Sequence, residues 1–258
     1  MTTRYRNIIP SAFRKTPRPF VPDAGLHFSN CMVYFDFDNT ITSFDVLDGI
    51  IEQFSINRDW VAYEAAWKQG KIGSRQCLEG QLRSIRVTKK QLLEYLCTIK
   101  VDAHFHKLLM LLRAGGINPV ILSDSFSFLI EYILQHNGIH GIKVYSNQLK
   151  IHKSQLVPSF PYTNSLCSHC AHCKTSTLSS EAFKDKKVLY IGDGLSDVCP
   201  AHHADIVFAK STLLKHFQET ERDCLAFTDF GDIYNYFKEH IHDAEGKYRY
   251  GAGSAAIS

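Results

Sequence analysis

Five apolar residues, Cys31-Met32-Val33-Tyr34-Phe35, run without interruption into Asp36-Phe37-Asp38-Asn39-Thr40. A short run with no polar alternation, rich in β-formers, reads as a strand covered on both faces, as in a parallel α/β sheet. Ligands of such sheets gather beyond the carboxyl ends of the strands, which is where Asp36 and Asp38 would stand. Two carboxylates at one strand end are costly unless a cation or a reaction uses them. This one stretch narrows the chain to an α/β fold with an acidic edge.

The pattern then turns helical. Val46, Leu47, Ile50, Ile51 and Phe54 recur at helical spacing, as do Trp60, Tyr63, Ala66 and Trp67. Ser74 is a candidate cap for a third helix with Cys77, Leu78, Leu82 and Ile85, and Thr88-Lys89-Lys90-Gln91 is a capping-box pattern opening a fourth. With no strand expected between 46 and 100, this segment reads as a four-helix insertion, a small second domain acting as a cap. The rest, 29–45 and 101–242, reads as the α/β core: a Rossmann-like parallel sheet with helices on both faces. Its later strands are Pro119–Leu122, ending at Ser123-Asp124-Ser125, then Val188–Ile191, ending at Gly192-Asp193-Gly194, and Ile206–Ala209. Short strands and loop are expected over 142–163, and a helix over 175–184.

Composition sets limits rather than a function. A chain of 258 residues, 45% hydrophobic and 21% charged, is long enough for one sizeable core and has the balance of an ordinary globular protein. A formal charge of +3 argues for neither nucleic acid nor a membrane as partner, and no apolar run reaches the roughly 18 residues of a spanning helix. Residues 1–28 carry Arg4, Arg6, Arg14, Lys15 and Arg18 before the first acid, Asp23. They read as a flexible basic arm, with an organellar transit segment as the alternative, and the Gly/Ala/Ser-rich tail over 243–258 as flexible too. Eight cysteines without a secretory h-region point to reduced thiols and a cytoplasmic setting.

Three expected strands end in polar residues about 85 and 70 positions apart: Asp36/Asp38, Ser123 and Asp193. A parallel sheet brings those ends to one edge, and Lys174 lies in a loop returning to it. One carboxylate free to attack, a second acid, a hydroxyl, a lysine, and Asp193 with Asp197 beyond it are what phosphoryl transfer through an aspartyl-phosphate requires. Carboxylate and phosphate repel, so a lysine and a divalent cation must neutralise the site. Oxygen ligands without histidine favour Mg²⁺.

The sequence Asp-x-Asp-x-Thr, then apolar strand and Ser, then Lys, then Gly-Asp-Gly-x-x-Asp resembles the haloacid-dehalogenase-type phosphatases over residues 31 to about 215. A helical insertion after the first motif is similar to the phosphoserine-phosphatase-like subfamily. Trp67-Lys68-Gln69-Gly70-Lys71-Ile72, the cysteines before Lys174 and Gly192 to Pro200 resemble two groups within it. These are the 2-hydroxy-3-keto-5-methylthiopentenyl-1-phosphate phosphatases and the phosphoethanolamine/phosphocholine phosphatases. The resemblance implies Asp36 as nucleophile and Asp38 as general acid and then base, its carbonyl also on Mg²⁺. It implies Ser123 and Lys174 on the phosphate, Asp193 as a direct metal ligand, and Asp197 at the metal's edge or just behind. The expected substrate is a small-molecule phosphomonoester.

Selectivity would lie in the cap. Asp45 falls where the resemblance to phosphoserine phosphatases implies an acid for the substrate's amino group, and a helix N-cap is an equally good reading. Gln81 stands where those enzymes place an arginine, with Arg75 or Arg83 as nearby alternatives for that role, a departure that weakens the phosphoserine alternative. Cys167, Cys170 and Cys173 form two consecutive C-x-x-C spacings just before Lys174. They read as buried thiols holding Lys174 in place, or as a Zn²⁺ site with His169, His172 or Cys199 as a fourth ligand. Taken with the basic arm, zinc would suit a non-enzymatic interaction module, and phosphotransfer instead of hydrolysis would keep the family.

Overall fold

The computed structural model describes residues 26–27, 30–165, 167, 169–180 and 186–242. The expected basic arm, apart from Leu26–His27, and the expected tail lie outside the described residues. Strand β1 (Leu26–His27) pairs in parallel with β9 (Ile241–His242) as a separate two-stranded sheet.

The first motif begins at β2 (Cys31–Phe35), which lies at the centre of the main sheet. Its neighbours are β3 (Val120–Phe126) and β6 (Lys187–Gly192); β7 (Ile206–Ala209) and β8 (Leu225–Ala226) follow on one side, β4 (Lys143–His152) and β5 (Gln155–Ser159) on the other. Every pairing is parallel except β4 with β5. The unbroken apolar run of β2 is explained by its two buried faces. Cys31, Val33 and Phe35 enter one apolar cluster, and Met32 and Tyr34 enter the other.

Helices α5 (Phe105–Ala114), α6 (Ser127–His136) and α10 (Phe230–His240) cover the first face, and α7 (Lys174–Ser180), α8 (Val198–Ala201) and α9 (Ser211–Glu219) the second. Phe35 meets Phe105 and Phe230 edge-on with centroids 5.3 and 5.6 Å apart. Fully burying a side chain of this size contributes roughly 1.5–3 kcal/mol, so this aromatic contact fixes the strand that carries Asp36. Among the described residues no helix is long and apolar enough to cross a membrane.

Four helices follow β2: α1 (Val46–Phe54), α2 (Trp60–Lys68), α3 (Ser74–Leu82) and α4 (Lys89–Leu96). The capping box at Thr88 and Gln91 forms as the sequence predicts. Ser74 does not cap: the cap position falls on Gly73, and Ser74 opens α3 with its Oγ accepting from Trp67 Nε1 at 3.2 Å. Apolar residues of α1, α3 and α4 join the first-face cluster, whereas α2 buries none. Two glycines set helix spacing here, because a Cβ at Gly49 would strike the Tyr95 hydroxyl and one at Gly80 the Tyr63 ring.

Two elements differ from expectation. Strand β3 continues past Leu122 to Phe126, with a register shift between Ser123 and Phe126. This bulge leaves Asp124 and Ser125 without ladder partners on β4, Asn147 Nδ2 donating instead to Asp124 O at 2.6 Å. Residues 143–159 form a β4–β5 hairpin whose two loop residues, Lys153 and Ser154, are both left-handed (φ 48° and 62°). That geometry suits a two-residue turn matching strand twist. The hairpin tip meets the helical insertion, Val87 N donating to Ser154 O at 2.9 Å. Helix α7 begins at Lys174 itself, and 181–185 lie outside the described residues.

Candidate active site

Asp36 is the first residue beyond β2, its N–H held by Ile191 O at 2.8 Å and its side chain buried. Lys174 reaches it from α7: Nζ donates to Asp36 Oδ1 at 2.5 Å, Asp197 Oδ1 at 2.8 Å and Ser196 Oγ at 3.2 Å. Burial works against the lysine's charge, but the carboxylates of Asp197 and Asp36 more than offset it and hold its pKa well above the usual value.

Asp197 is fully engaged. Its Oδ1 also accepts from Tyr190 OH at 2.7 Å, and its Oδ2 from the N–H groups of Asp193 and Gly194 at 3.0 and 2.9 Å. A Cβ at residue 192 would come within 2.6 Å of this carboxylate, so Gly192 is required by close approach. Asp193 is less occupied, with Thr40 Oγ1 donating to Oδ1 at 3.3 Å. One carboxylate oxygen each of Asp36, Asp193 and Asp197 lie within 4.8 Å of one another, the one such group of metal-ligating side chains among the described residues.

The charge balance here fits a cation. Three carboxylates face two ammonium groups, buried Lys174 and partly buried Lys210. Burial first, then Asp197, push the Asp36 carboxyl well above the ordinary range despite its contact with Lys174. Burial and Asp197 raise Asp193 to about 7. Asp36 and Asp193 each keep an oxygen not used by Lys174 or Thr40, while Asp197 has both oxygens doubly bonded. The all-oxygen donor set suits a hard divalent cation such as Mg²⁺.

Asp38 stands across the cavity mouth, its Oδ1 accepting from Val46 N at 2.8 Å, the first N–H of α1. Burial first, then the neighbouring Asp45, push its carboxyl well above the usual range, toward the protonated form. Asn39, with φ 54°, turns the chain between the acids and α1, a conformation asparagine tolerates. Ser123 is buried and its Oγ accepts from Ser125 N at 3.0 Å. Behind it His172 Nδ1 bonds Ser123 O at 3.0 Å and Nε2 bonds Thr177 Oγ1 at 2.8 Å. The carbonyl can only accept, so Nδ1 carries the proton, and burial lowers the histidine pKa to about 4.

Asp36, Asp38, Ser123 and Asp193 thus line one cavity of about 390 Å³, with Lys174 and Asp197 behind its wall. The helical insertion supplies the opposite wall: Asp45 and Asp48 from the start of α1, Glu64, Trp67 and Lys68 from α2, and buried Gln81 from α3. Asp45 caps α1 as its N-cap reading expects, accepting from Asp48 N at 3.0 Å, and it also lines the cavity. Burial, Asp45 and Glu64 raise Asp48 to about 7. Glu64 pairs with Lys68.

Sequence reasoning passed over Asp48, Glu64 and Asp124. Asp124 lines the cavity with a buried Oδ1 that has no hydrogen-bond partner, and burial lifts its pKa to about 6. Its only signal was its place after Ser123 at a strand end. Cys167, Cys170 and Cys173 do not line the cavity. Cys167 and Cys170 sulfurs are 3.4 Å apart, and Cys167, Cys170 and Cys173 do not gather as a ligand trio among the described residues. Of the thiols expected to be buried only Cys173 is, Cys167 and Cys170 being partly exposed, and the zinc alternative finds no support in this geometry.

The model of the family described as Putative Phosphatase matches residues 31–223. A 2-hydroxy-3-keto-5-methylthiopentenyl-1-phosphate phosphatase from Bacillus cereus is 24% identical over 210 residues, covering 78% of this chain and 93% of that protein. A phosphoserine phosphatase solved as a phospho-aspartyl intermediate analogue superposes with TM-score 0.63 at 16% identity, covering 83% of this chain and 99% of the other. The phosphoserine phosphatase of T. onnurineus gives 0.59 at 17% identity, covering 82% and 96%. At such identities these two structures speak to the fold alone. The reading as a non-enzymatic zinc module gives way to an enzyme.

Proposed function

Because the chain belongs to the Putative Phosphatase family, with the haloacid-dehalogenase-type fold, we propose that it hydrolyses a small phosphomonoester through an aspartyl-phosphate on Asp36. The observation that carries this is Lys174 Nζ bridging Asp36 and Asp197 beside Asp193, where β2 and β6 end. Asp36 attacks phosphorus. Asp38 gives its proton to the departing alkoxide, then takes one from the water that opens the acyl phosphate. Ser123 donates its hydroxyl hydrogen to a phosphate oxygen, since its lone pair already serves Ser125 N–H. Lys174 neutralises phosphate charge in a water-poor site, where fixed charges act strongly.

Asp36, Asp193 and the Asp38 carbonyl would hold Mg²⁺. When bound, it supplies positive charge against the phosphoryl oxygens. Asp197 acts through Lys174 and the 193–194 turn, because its four hydrogen bonds leave no lone pair for a metal.

The substrate enters the reading through the opposite wall. Asp45, Asp48 and Glu64 face the cavity with Lys68 as their one nearby cation, and Trp67 offers an aromatic face. A leaving group bearing an amine or ammonium fits this wall by charge and by cation–π contact. Gln81, in place of an arginine, offers a hydrogen bond but no charge for a carboxylate. The test is phosphate release from phosphoethanolamine, phosphoserine and a sugar phosphate, each with Mg²⁺ and then EDTA. Expected are turnover lost in EDTA and a preference for the amine over the sugar ester. Equal rates with EDTA would sink the metal-assisted mechanism, and a sugar preference the amine reading.

A further inference from the structure

Three cysteines precede Lys174 in a loop whose sulfurs the hydrolytic chemistry does not use. We propose that Cys167 and Cys170 are a peroxide-oxidisable pair whose disulfide detaches α3 from this loop and reversibly lowers turnover. The two sulfurs already touch at 3.4 Å, and a disulfide requires about 2.05 Å, so a short approach of the two side chains closes the bond. Both residues are partly exposed, whereas Cys173 is buried. The contact lets one thiol donate to the other sulfur, and the neighbouring thiols push the Cys167 pKa down, toward the thiolate that attacks an oxidant.

The chemistry needs only hydrogen peroxide. Cys167 thiolate attacks one peroxide oxygen, the O–O bond breaks, hydroxide leaves, and a sulfenic acid forms. The Cys170 sulfur then attacks that sulfur and passes its proton to the departing oxygen. The S–S bond forms, the S–O bond breaks, and water leaves. Two electrons pass from the sulfur pair to the peroxide.

The consequence follows from what lies inside the ring so closed. His169 O accepts the N–H of Ser74, the first residue of α3, at 2.6 Å. The same loop runs on to His172, bonded to Ser123 O, and to Cys173, whose N–H donates to Tyr162 O at 2.8 Å. Drawing Cys167 and Cys170 together turns the His169 carbonyl, which joins the helical wall to the loop carrying Lys174. Only the effect on turnover rests on the phosphatase reading.

The experiment treats the full chain with hydrogen peroxide, maps the peptides by mass, and follows hydrogen exchange and phosphatase rate. Expected are loss of two hydrogens on a peptide joining Cys167 to Cys170 and faster exchange at the start of α3. A three- to tenfold fall in rate, about what one lost hydrogen bond carries, should be restored by dithiothreitol. Cys167→Ser and Cys170→Ser should resist peroxide, and Cys199→Ser should respond like the natural chain. A bond elsewhere, no bond, unchanged exchange at α3, or stoichiometric zinc on these sulfurs would overturn the proposal. Should a serine variant not fold, peptide mapping of the natural chain still decides. Should no form hydrolyse phosphate, the mapping and exchange still judge the pair while the phosphatase reading falls.

Discussion

The two walls of the cavity are both acidic, but the core wall ties Asp36 and Asp197 to a buried lysine, whereas the helical wall offers its acids only the exposed Lys68. Asp197 accepts four hydrogen bonds and Asp36 meets a buried lysine. Across from them Asp48 and Glu64 belong to short helices, and the Glu64–Lys68 pair is largely exposed. Fixed charges suit a reaction whose geometry is the same for every phosphomonoester. Loosely held charges suit recognition of whatever the phosphate is attached to.

The contrast breaks first at Asp36. Replacing it with asparagine keeps the shape and removes the attacking oxygen, so the rate should fall about 10⁴-fold or more with an unchanged circular dichroism spectrum. A variant near the natural rate would end the covalent mechanism. Asp197→Asn comes next. It breaks a buried ion pair and turns an amide hydrogen toward existing donors, costing about 3–5 kcal/mol in urea unfolding. Asp48→Asn on the other wall should leave the unfolding midpoint almost unmoved.

A third measurement uses pH. His172 is held neutral, with a folded pKa of about 4 against 6.5 when unfolded. Between those values the unfolded chain takes up the proton first, so stability is intact above pH 6.5 and is lost as pH falls toward 4. The loss approaches about 3 kcal/mol at most, and His172→Asn should flatten that slope. The smallest effect sharpens the comparison at the helical wall. Asp48→Asn should raise KM for an amine-bearing ester about tenfold or less and spare a neutral one. Because Asp48 titrates at about 7, amine binding should tighten from pH 6 to 8; a change shared by both esters would remove Asp48 from recognition.

Sequence made the core wall legible because an apolar run that stops at an acid announces a strand end. Asp36, Asp38, Ser123 and Asp193 were found that way. The hydrogen bonds that occupy Asp197 were not, since they depend on Tyr190 and Lys174 arriving from elsewhere. Asp124 was hidden by a bulge that no residue type announces. The β4–β5 hairpin was blurred for a similar reason, as its left-handed turn is made by Lys153 and Ser154 without glycine or asparagine. Glu64 looked like an ordinary polar helix residue until α2 was packed over the cavity.

The tyrosine rings resting on Gly49 and Gly80 have an evolutionary corollary. A single methyl at position 80 would wedge α2 off α3 and carry Glu64, Trp67 and Lys68 outward together, with no atom of the phosphoryl-transfer apparatus disturbed. On the proposed reading of the helical wall, substrate choice can drift by mutations buried between helices, invisible to any inventory of residues that touch the ligand.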